Sequence, residues 1–536
     1  MRLDLDSFTY PGEDRPSLRD IELSVAPGEC VLIAGGSGSG KSTLARILAG
    51  VLPGRNGGTM SARFEVAGET LVYSAEDSAG AANPRINPAA WNRHIAYVGQ
   101  VPSAQLSTVA ATVAEEIAFA LENSGMELGP MVHRVESTAR DLGLEHLLQR
   151  KPTELSGGEQ RRMIIASAAA LHPSTLVLDE PTAGLDAEAR RAVENVIASL
   201  LARGAGVVLL SPALGGAGRL ASQVLLLDDG RPAGSGRRQE VLESDTAARL
   251  PVIPDPRDDD AGPTAAVSTA GTSLPLAELG GIAYRYGAER RRTLLRGRKP
   301  TGPQGTKVLD GVDLTLRAGE RVAIAGANGA GKTTLLRHLN GLARPVSGTV
   351  QIMGRDIAGE AVGEISADVA YLFQDPQDQL FDRTVAREVG YGISGPDRRA
   401  HNTAVNGALE RCGLTPLGHA HPYELPSSAQ RLVALATVLA RRPAILALDE
   451  PTVAMDQDGL DRLAEAIRDE SARGVAVAVV THDLDFAYRH CERLVLLEGG
   501  RIVADGSFTQ VLEDHFDAGE AFGVEAPAAW LRSRKR

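Results

Sequence analysis

Gly35-Gly36-Ser37-Gly38-Ser39-Gly40-Lys41-Ser42 decides the reading of this chain. It follows the apolar run Val31–Ala34 and opens a helix-forming stretch that begins with Thr43 and Leu44. The spacing is GxxxxGK[ST], and Gly326-Ala327-Asn328-Gly329-Ala330-Gly331-Lys332-Thr333 repeats it after Val322–Ala325. Glycines let successive backbone N–H groups turn inward around phosphate oxygens, and the helix N-terminus adds partial positive charge. The lysine reaches the β- and γ-phosphates, and Ser42 or Thr333 supplies a hydroxyl to Mg²⁺. A glycine-rich turn without a ligand is the bland alternative. Two full matches, each between a strand and a helix, argue against it.

Working outward, the chain is one unit written twice. GECVLIAGGSGSGKSTL (28–44) is answered by GERVAIAGANGAGKTTL (319–335), and VLDEPTAGLD (177–186) by ALDEPTVAMD (447–456). Asp179 and Asp449 are 270 residues apart, as are Leu155 and Leu425, whereas Lys41 and Lys332 are 291 apart. The first halves therefore differ by insertions, near 74–91 in copy one and 288–306 in copy two. This self-similarity gives a unit over 1–245, a flexible acidic, proline-rich linker over 246–275, a second unit over 276–512 and a tail over 513–536. Proline, glycine and like charges in the linker cannot pack a core. The tail ends in basic residues and is either a solvated terminus or a lipid-headgroup contact.

The 536 residues carry 56 Lys+Arg against 68 Asp+Glu, a net charge of −12. That balance argues against a nucleic-acid binder, whose affinity comes from clustered cations. Only six of the cations are lysine: Lys41, Lys151, Lys299, Lys307, Lys332 and Lys535. Two of the six stand in the phosphate loops, where a compact ammonium is not replaced by an arginine fork. The cysteines, Cys30, Cys412 and Cys491, lie far apart without metal-ligand spacing, which fits a reducing compartment. No apolar run approaches the roughly 18 residues needed to cross a bilayer. The alternating start, Met1 to Asp6, reads as an edge strand, not as a signal peptide.

Within each copy, short apolar runs alternate with amphipathic helical stretches. Val31–Ala34, Leu176–Leu178, Val207–Leu210 and Val224–Leu227 read as buried parallel strands, and Val322–Ala325, Ile445–Leu448, Val475–Val480 and Leu494–Leu497 repeat them. Helices are expected at 187–202 and 457–472. The pattern is α/β, a parallel sheet covered on both faces. Asp179-Glu180 and Asp449-Glu450 close two of these strands. Asp179 and Asp449 are expected to hold Mg²⁺, directly or through water. Glu180 and Glu450 stand one residue further, where a carboxylate can polarise an attacking water.

Leu155-Ser156-Gly157-Gly158-Glu159 stands 24 residues before Asp179 and opens a helix bearing Arg161 and Arg162. With it the chain resembles the ABC transporter ATPases over roughly 470 residues, both repeats. The resemblance implies two tandem P-loop NTPase domains, each with a parallel-sheet core, an antiparallel β subdomain and a helical subdomain. It implies ATP and Mg²⁺ as ligands. The P-loop residues it marks are Gly35, Gly38, Gly40, Lys41, Ser42 and Thr43, and Gly326, Asn328, Gly329, Gly331, Lys332, Thr333 and Thr334. Ser156, Gly157, Gly158 and Glu159 match the signature. Tyr10 and Tyr286 match the aromatic that stacks on adenine, although a strand tyrosine is otherwise simply packed. Gln100 and Gln374 match the Q-loop glutamine that senses Mg²⁺. Asp186 and Asp456 match the D-loop. His482, within Thr481-His482-Asp483, matches the switch histidine. In this family two domains pair head to tail, each ATP lying between one P-loop and the other signature. Here that pairing would be intramolecular.

The two copies are not equivalent. Copy two has Leu425-Pro426-Ser427-Ser428-Ala429 where copy one has the signature. Pro426 lacks an N–H and a hydroxyl, and Ser427 and Ser428 are expected to obstruct close backbone approach. In copy one the switch position is Pro212, which can neither donate to a phosphate nor orient water. Head-to-tail pairing puts both defects in the site of Lys41 and Glu180. The site of Lys332, Glu450 and His482, with the intact signature, keeps every part. The expectation is one full and one degenerate site.

Copy two continues Phe373-Gln374-Asp375-Pro376-Gln377-Asp378-Gln379-Leu380-Phe381, then Thr384-Val385 and Glu388-Val389; copy one has Gln100, Gln105-Leu106, Thr112-Val113 and Glu116-Ile117. This resembles the energy-coupling factor (ECF) ATPases, which power uptake of vitamins and of cobalt or nickel ions. The resemblance implies a transmembrane T component docked on this segment, a substrate-binding S component, no nucleic-acid partner, and a place on the cytoplasmic face of a bacterial membrane. The alternatives are the fused ATPase of another importer class, such as a sugar importer, and a soluble tandem ABC translation factor. The basic insertion 289–305 is either a solvated loop or a partner contact.

Overall fold

The computed structural model describes residues 1–54, 57–75, 83–256, 274–286, 307–393, 397–517 and 519–534. The chain divides into two compact units, Met1–Asp255 and Pro256–Arg536. Each carries a six-stranded sheet, a four-stranded antiparallel sheet and a helical layer.

In the first unit the six-stranded sheet runs Arg231–Arg237, Gln223–Asp228, Cys30–Ala34, Gly206–Ser211, Thr175–Asp179, Ile95–Val98. All neighbours are parallel except the hairpin at the first edge. The second unit repeats this order with Arg501–Ser507, Arg493–Glu498, Arg321–Ala325, Ala476–Val480, Ile445–Asp449 and Val369–Leu372. The three central strands of the first sheet are almost entirely buried, as are their counterparts in the second. Continuous Val, Leu, Ile and Ala suits strands covered on both faces. The glycine-rich loops after Cys30–Ala34 and Arg321–Ala325 and the Asp-Glu ends of Thr175–Asp179 and Ile445–Asp449 lie at the carboxyl ends of parallel strands, where α/β folds place ligands.

The antiparallel sheets pair Leu18–Ser24, Arg2–Thr9, Thr59–Val66 and Glu69–Tyr73 in one unit, and Lys307–Arg317, Pro275–Arg285, Ser347–Ile352 and Arg355–Asp356 in the other. The N-terminal strand is therefore central, not an edge: it pairs Leu3 with Leu23 on one side and with Phe64 on the other. Its alternation reports a sheet with one buried face, which an edge and an interior strand share. The helical layers are Val113–Asn123, Leu128–Asp141 and Gly157–Ala170, then Val385–Gly390, Arg398–Arg411 and Ser427–Ala440. The helices expected at 187–202 and 457–472 are Ala187–Ala202 and Gln457–Ala472, capped by Asp186 and Asp456.

Two expected segments are built differently. The start of the linker packs onto the first unit. Asp245–Arg249 is helical, Val252 is buried, and Ile253 pairs in parallel with Ala213. Asp255 is buried and held by Arg219 at 2.7 Å and Arg238 at 3.4 Å. The charge-rich composition concealed a buried ion pair. Residues 257–273 of the expected linker lie outside the described residues, as do 76–82 of the first insertion and 287–306, which holds the basic one. The C-terminal stretch is not a tail either: Phe516, Val524 and Trp530 are buried, and Ala528–Ser533 is helical. These three apolar side chains leave water on folding. Asp255→Ala strands two partly buried guanidinium groups. It should cost roughly 1–3 kcal/mol and open 250–256 to proteolysis, read by denaturant melts and limited digestion.

Candidate functional site

Each phosphate loop leaves its strand and enters a helix, Lys41–Leu48 or Lys332–Leu339. The residue before each helix, Gly40 or Gly331, is left-handed, with φ of 97° and 105°. A Cβ on Gly331 would lie 2.8 Å from Leu309 and 2.9 Å from the Val308 carbonyl, so glycine is required there. Both lysines fold back over their loops. Lys41 Nζ donates to the carbonyls of Gly35 and Gly36, each at 2.7 Å. Lys332 Nζ donates to Gly326 at 2.7 Å and to Ala327 at 3.0 Å. An ammonium held by neutral carbonyls inside a glycine-lined loop is matched to an anion.

The hydroxyl and carboxylate expected at Mg²⁺ meet in both units. Thr333 Oγ1 donates to Asp449 Oδ1 at 3.0 Å, and Ser42 hydrogen-bonds Asp179. One hydroxyl and one carboxylate per site are the hard oxygen set Mg²⁺ takes when phosphates and water supply the rest. Among the described residues no cluster of three or more His, Cys, Asp or Glu is arranged for a metal, so these sites are not all-protein cages. Burial pushes both aspartates above the usual carboxylate range, opposed by the hydroxyl bonds and by the nearby lysine and arginine.

Glu180 and Glu450 both sit in the left-handed region, at φ 51° and 48°. Each donates its N–H to the neighbouring strand, Leu210 or Val480, at 2.9 Å. Strain of this kind persists where the surroundings over-determine the backbone. Around Glu450 the parts converge. His482 Nε2 is 3.1 Å from Glu450 Oε1 and 3.3 Å from Lys332 Nζ, and the His482 N–H reaches Glu450 Oε2 at 3.3 Å. Burial drives the Glu450 carboxyl up to about 8, with Lys332 opposing and Asp449 adding. Burial and then Asp179 also raise Glu180, whose side chain bonds Gln100. In the first unit Pro212 offers only its carbonyl, and that accepts from Ile253 N–H at 2.7 Å. Gln374 is exposed, unlike Gln100.

At the signature, Ser156 and Glu159 form a reciprocal capping box on the helix Gly157–Ala170. A Cβ on Gly157 would meet nothing within 4 Å, so its outer side is open. The counterpart helix has Pro426 at its N-cap without a side-chain bond. Here one expectation needs correction. Ser428 does not obstruct an approaching ligand: it is buried and donates to Asp456 Oδ1 at 3.0 Å. Its hydroxyl finds an acceptor inside the fold. Asp456 also caps its helix through Gly459 N–H at 3.0 Å, and Asp186 does the same through Ala189 at 2.9 Å. Tyr10 and Tyr286 hydrogen-bond the P-loop helices through Thr43 at 3.1 Å and Thr334 at 3.0 Å. Edge contacts with Phe8 and Tyr284 orient the two rings.

Other residues complete the site without any motif to announce them. Tyr371 donates to Asp449 Oδ2 at 2.8 Å, so both oxygens of that carboxylate are oriented. Arg161 bridges the carbonyls of Glu180 and Gln100, and Arg431 reaches the carbonyl of Glu450 at 3.4 Å. Each arginine ties a signature helix to the Asp-Glu turn of its own unit. Gln105 and Gln379 accept from Gly99 and Phe373 N–H and so brace the loops holding Gln100 and Gln374.

Comparisons with known proteins give the family. The sequence profile of the family described as "ABC transporter" matches residues 18–183 and 309–453. A protein of Methanosarcina acetivorans named "Putative ABC transporter ATP-binding protein" is 31% identical over 555 residues, 97% of this chain and 88% of the relative. One of Streptomyces avermitilis with the same name is 33% identical over 574 residues, 98% of this chain and 97% of the relative. Among solved structures, the archaeal ribosome recycling factor aABCE1, in complex with the ribosomal stalk protein aP1, shares the fold. Its TM-score is 0.63 at 21% identity, covering 95% of this chain and 91% of that one. Matched in both repeats, and aligned from end to end with tandem relatives, the chain belongs to the ABC transporter family as a tandem ATPase that binds ATP with Mg²⁺.

Proposed function

We propose that this ATPase is the motor of an ECF-type importer for a vitamin or a transition-metal ion. It docks a transmembrane T component, which joins it to a substrate-binding S component, at the cytoplasmic face of a bacterial membrane. The observation that carries this reading is the surface beyond Gln374. A cavity of about 500 Å³ is lined there by Asp382, Arg387, Tyr391, His401 and Asn402. Phe381 stacks edge-on against Tyr391 at 4.6 Å, and both rings are more than half exposed. Paired exposed aromatics beside a polar-rimmed cavity suit an amphipathic helix from a partner. Among the described residues no helix is long and apolar enough to cross a membrane; in this reading the T component supplies the span.

Within the site, Glu450 is the residue that activates water, and His482 holds its carboxylate. Lys332, Gly326, Asn328, Gly329, Gly331, Thr333 and Thr334 bind the phosphates and Mg²⁺ with Asp449 and Gln374. Lys41, Gly35, Gly38, Gly40, Ser42, Thr43, Asp179 and Gln100 do so in the first unit, where Glu180 turns over slowly because Pro212 has no side-chain group to hold its carboxylate as His482 holds that of Glu450. Tyr10 and Tyr286 stack on adenine. Ser156, Gly157, Gly158 and Glu159 close the Lys332 site in the head-to-tail pair, and Asp186 and Asp456 border the two sites.

The test is affinity purification of the full chain from its host membranes. Integral membrane proteins should co-purify, and Phe381→Ala with Tyr391→Ala should release them while ATP binding persists. Sedimentation with ribosomes and no membrane partner would overturn the importer reading in favour of a translation factor.

A further inference from the structure

We propose that the C-terminal segment 516–534 is a brace across the nucleotide site of the second unit, with Gly523 positioning the P-loop through Ala327. The segment is anchored by Phe516, Val524 and Trp530, all buried. Between these anchors Glu520–Ala521 and Val524–Glu525 form a hairpin, turning at Phe522 and Gly523. Both turn residues are left-handed, at φ 52° and 77°. Glycine adopts that conformation freely; phenylalanine does so only against steric strain. Such a tip is retained where something fixes its position.

What it meets is the phosphate loop. A Cβ on Gly523 would lie 2.6 Å from the Cβ and 2.8 Å from the Cα of Ala327. The hairpin backbone therefore rests directly on Ala327, whose carbonyl accepts from Lys332 Nζ at 3.0 Å. The other arm of the segment reaches the switch. Ala528 N–H donates to Asp485 Oδ1 at 2.7 Å, in the first turn of the helix Leu484–His490. That helix follows His482 directly, and His482 Nε2 is 3.3 Å from Lys332 Nζ. One short segment thus touches both elements that carry the groups facing Glu450. In the first unit the position of Ala327 is Gly36, and the segment after the last helix, 250–255, pairs with the loop at Pro212 to Leu214. The brace over the P-loop belongs to the unit that keeps its switch histidine.

The inference rests on the reading of the Lys332 loop as an ATP site, and the experiment separates the two. In full-length Lys41→Ala protein, binding of a fluorescent ATP analogue with Mg²⁺ reports the second unit. Adding Gly523→Ala pushes a methyl group into Ala327 and should weaken binding about tenfold, equivalent to roughly 1.4 kcal/mol. Adding Ala327→Gly as well, which copies Gly36, removes the 2.6 Å Cβ contact while the Cα at 2.8 Å stays, and should restore part of it. A purely structural defect in the hairpin would not be repaired from the P-loop side. Trp530 emission in a Trp91→Phe background confirms that the segment stays folded. If the Lys41→Ala parent binds no nucleotide, the assignment of the Lys332 site is wrong. If it binds and Gly523→Ala changes nothing, or Ala327→Gly restores none of the loss, the brace is overturned.

Discussion

Glu450→Gln is expected to lower ATP turnover about 100-fold or more in the assembled complex, whereas Glu180→Gln leaves most of it. A positioned general base contributes typically 10²–10⁴-fold. The difference between the two variants follows from what surrounds each carboxylate. Glu450 has His482 at 3.1 Å and the His482 N–H at 3.3 Å. Glu180 has Gln100 but faces a loop that ends in Pro212, and that loop is paired with Ile253. Pro212→His alone should therefore add little, because the backbone at this position is held by 250–255 and Pro426 still replaces the signature serine. Equal losses from the two glutamate variants, or a large gain from Pro212→His, would show that the two sites share the work.

A second large effect concerns stability and pH in the absence of nucleotide. Glu450 is buried, and burial raises its carboxyl from 4.5 to about 8. A carboxyl whose pKa rises on folding binds its proton more tightly in the folded chain. Its favourable contribution is complete below pH 4.5 and is lost as pH climbs through 8. Glutamine keeps the shape and never ionises. Glu450→Gln should therefore melt close to wild type near pH 5. At pH 9 it should melt several degrees higher, since ~1 kcal/mol shifts Tm by about 2–4 °C in a domain of this size class. Trp530 emission in a Trp91→Phe background follows the second unit. Parallel Tm–pH curves for the two proteins would overturn the idea that an ionised Glu450 opposes folding. The same result bears on catalysis: a base reluctant to stay ionised in the empty site is poised near working pH, where proton transfer is most effective.

The fold shared with aABCE1 is one on which more than one function is built. The surface beside Gln374 is where the importer and translation-factor readings part. An exposed Phe381–Tyr391 pair is costly to leave in water unless something covers it, and that makes it the natural first target for mutation.

Whatever rests on local pattern is legible in the order of the residues. Lys41 and Lys332 stood in glycine-spaced loops, Asp179 and Asp449 closed apolar strands, and a 270-residue offset declared the duplication. Phosphate binding requires consecutive backbone N–H groups, so its residues are neighbours in the chain and legible as a motif. The same holds for the lost signature and the missing histidine, which are departures at fixed offsets. Tertiary structure alone decided what depends on residues distant in sequence. Tyr371 finds Asp449, Arg161 joins Glu180 to Gln100, and Asp255 meets Arg219 and Arg238 across the sheet end. It also turned Ser428 inward and placed the hairpin of Gly523 on Ala327. A side-chain bond or a close backbone approach has no sequence period. It is set by which surfaces packing brings together, and a charged linker or a basic tail conceals it until the buried partners are seen.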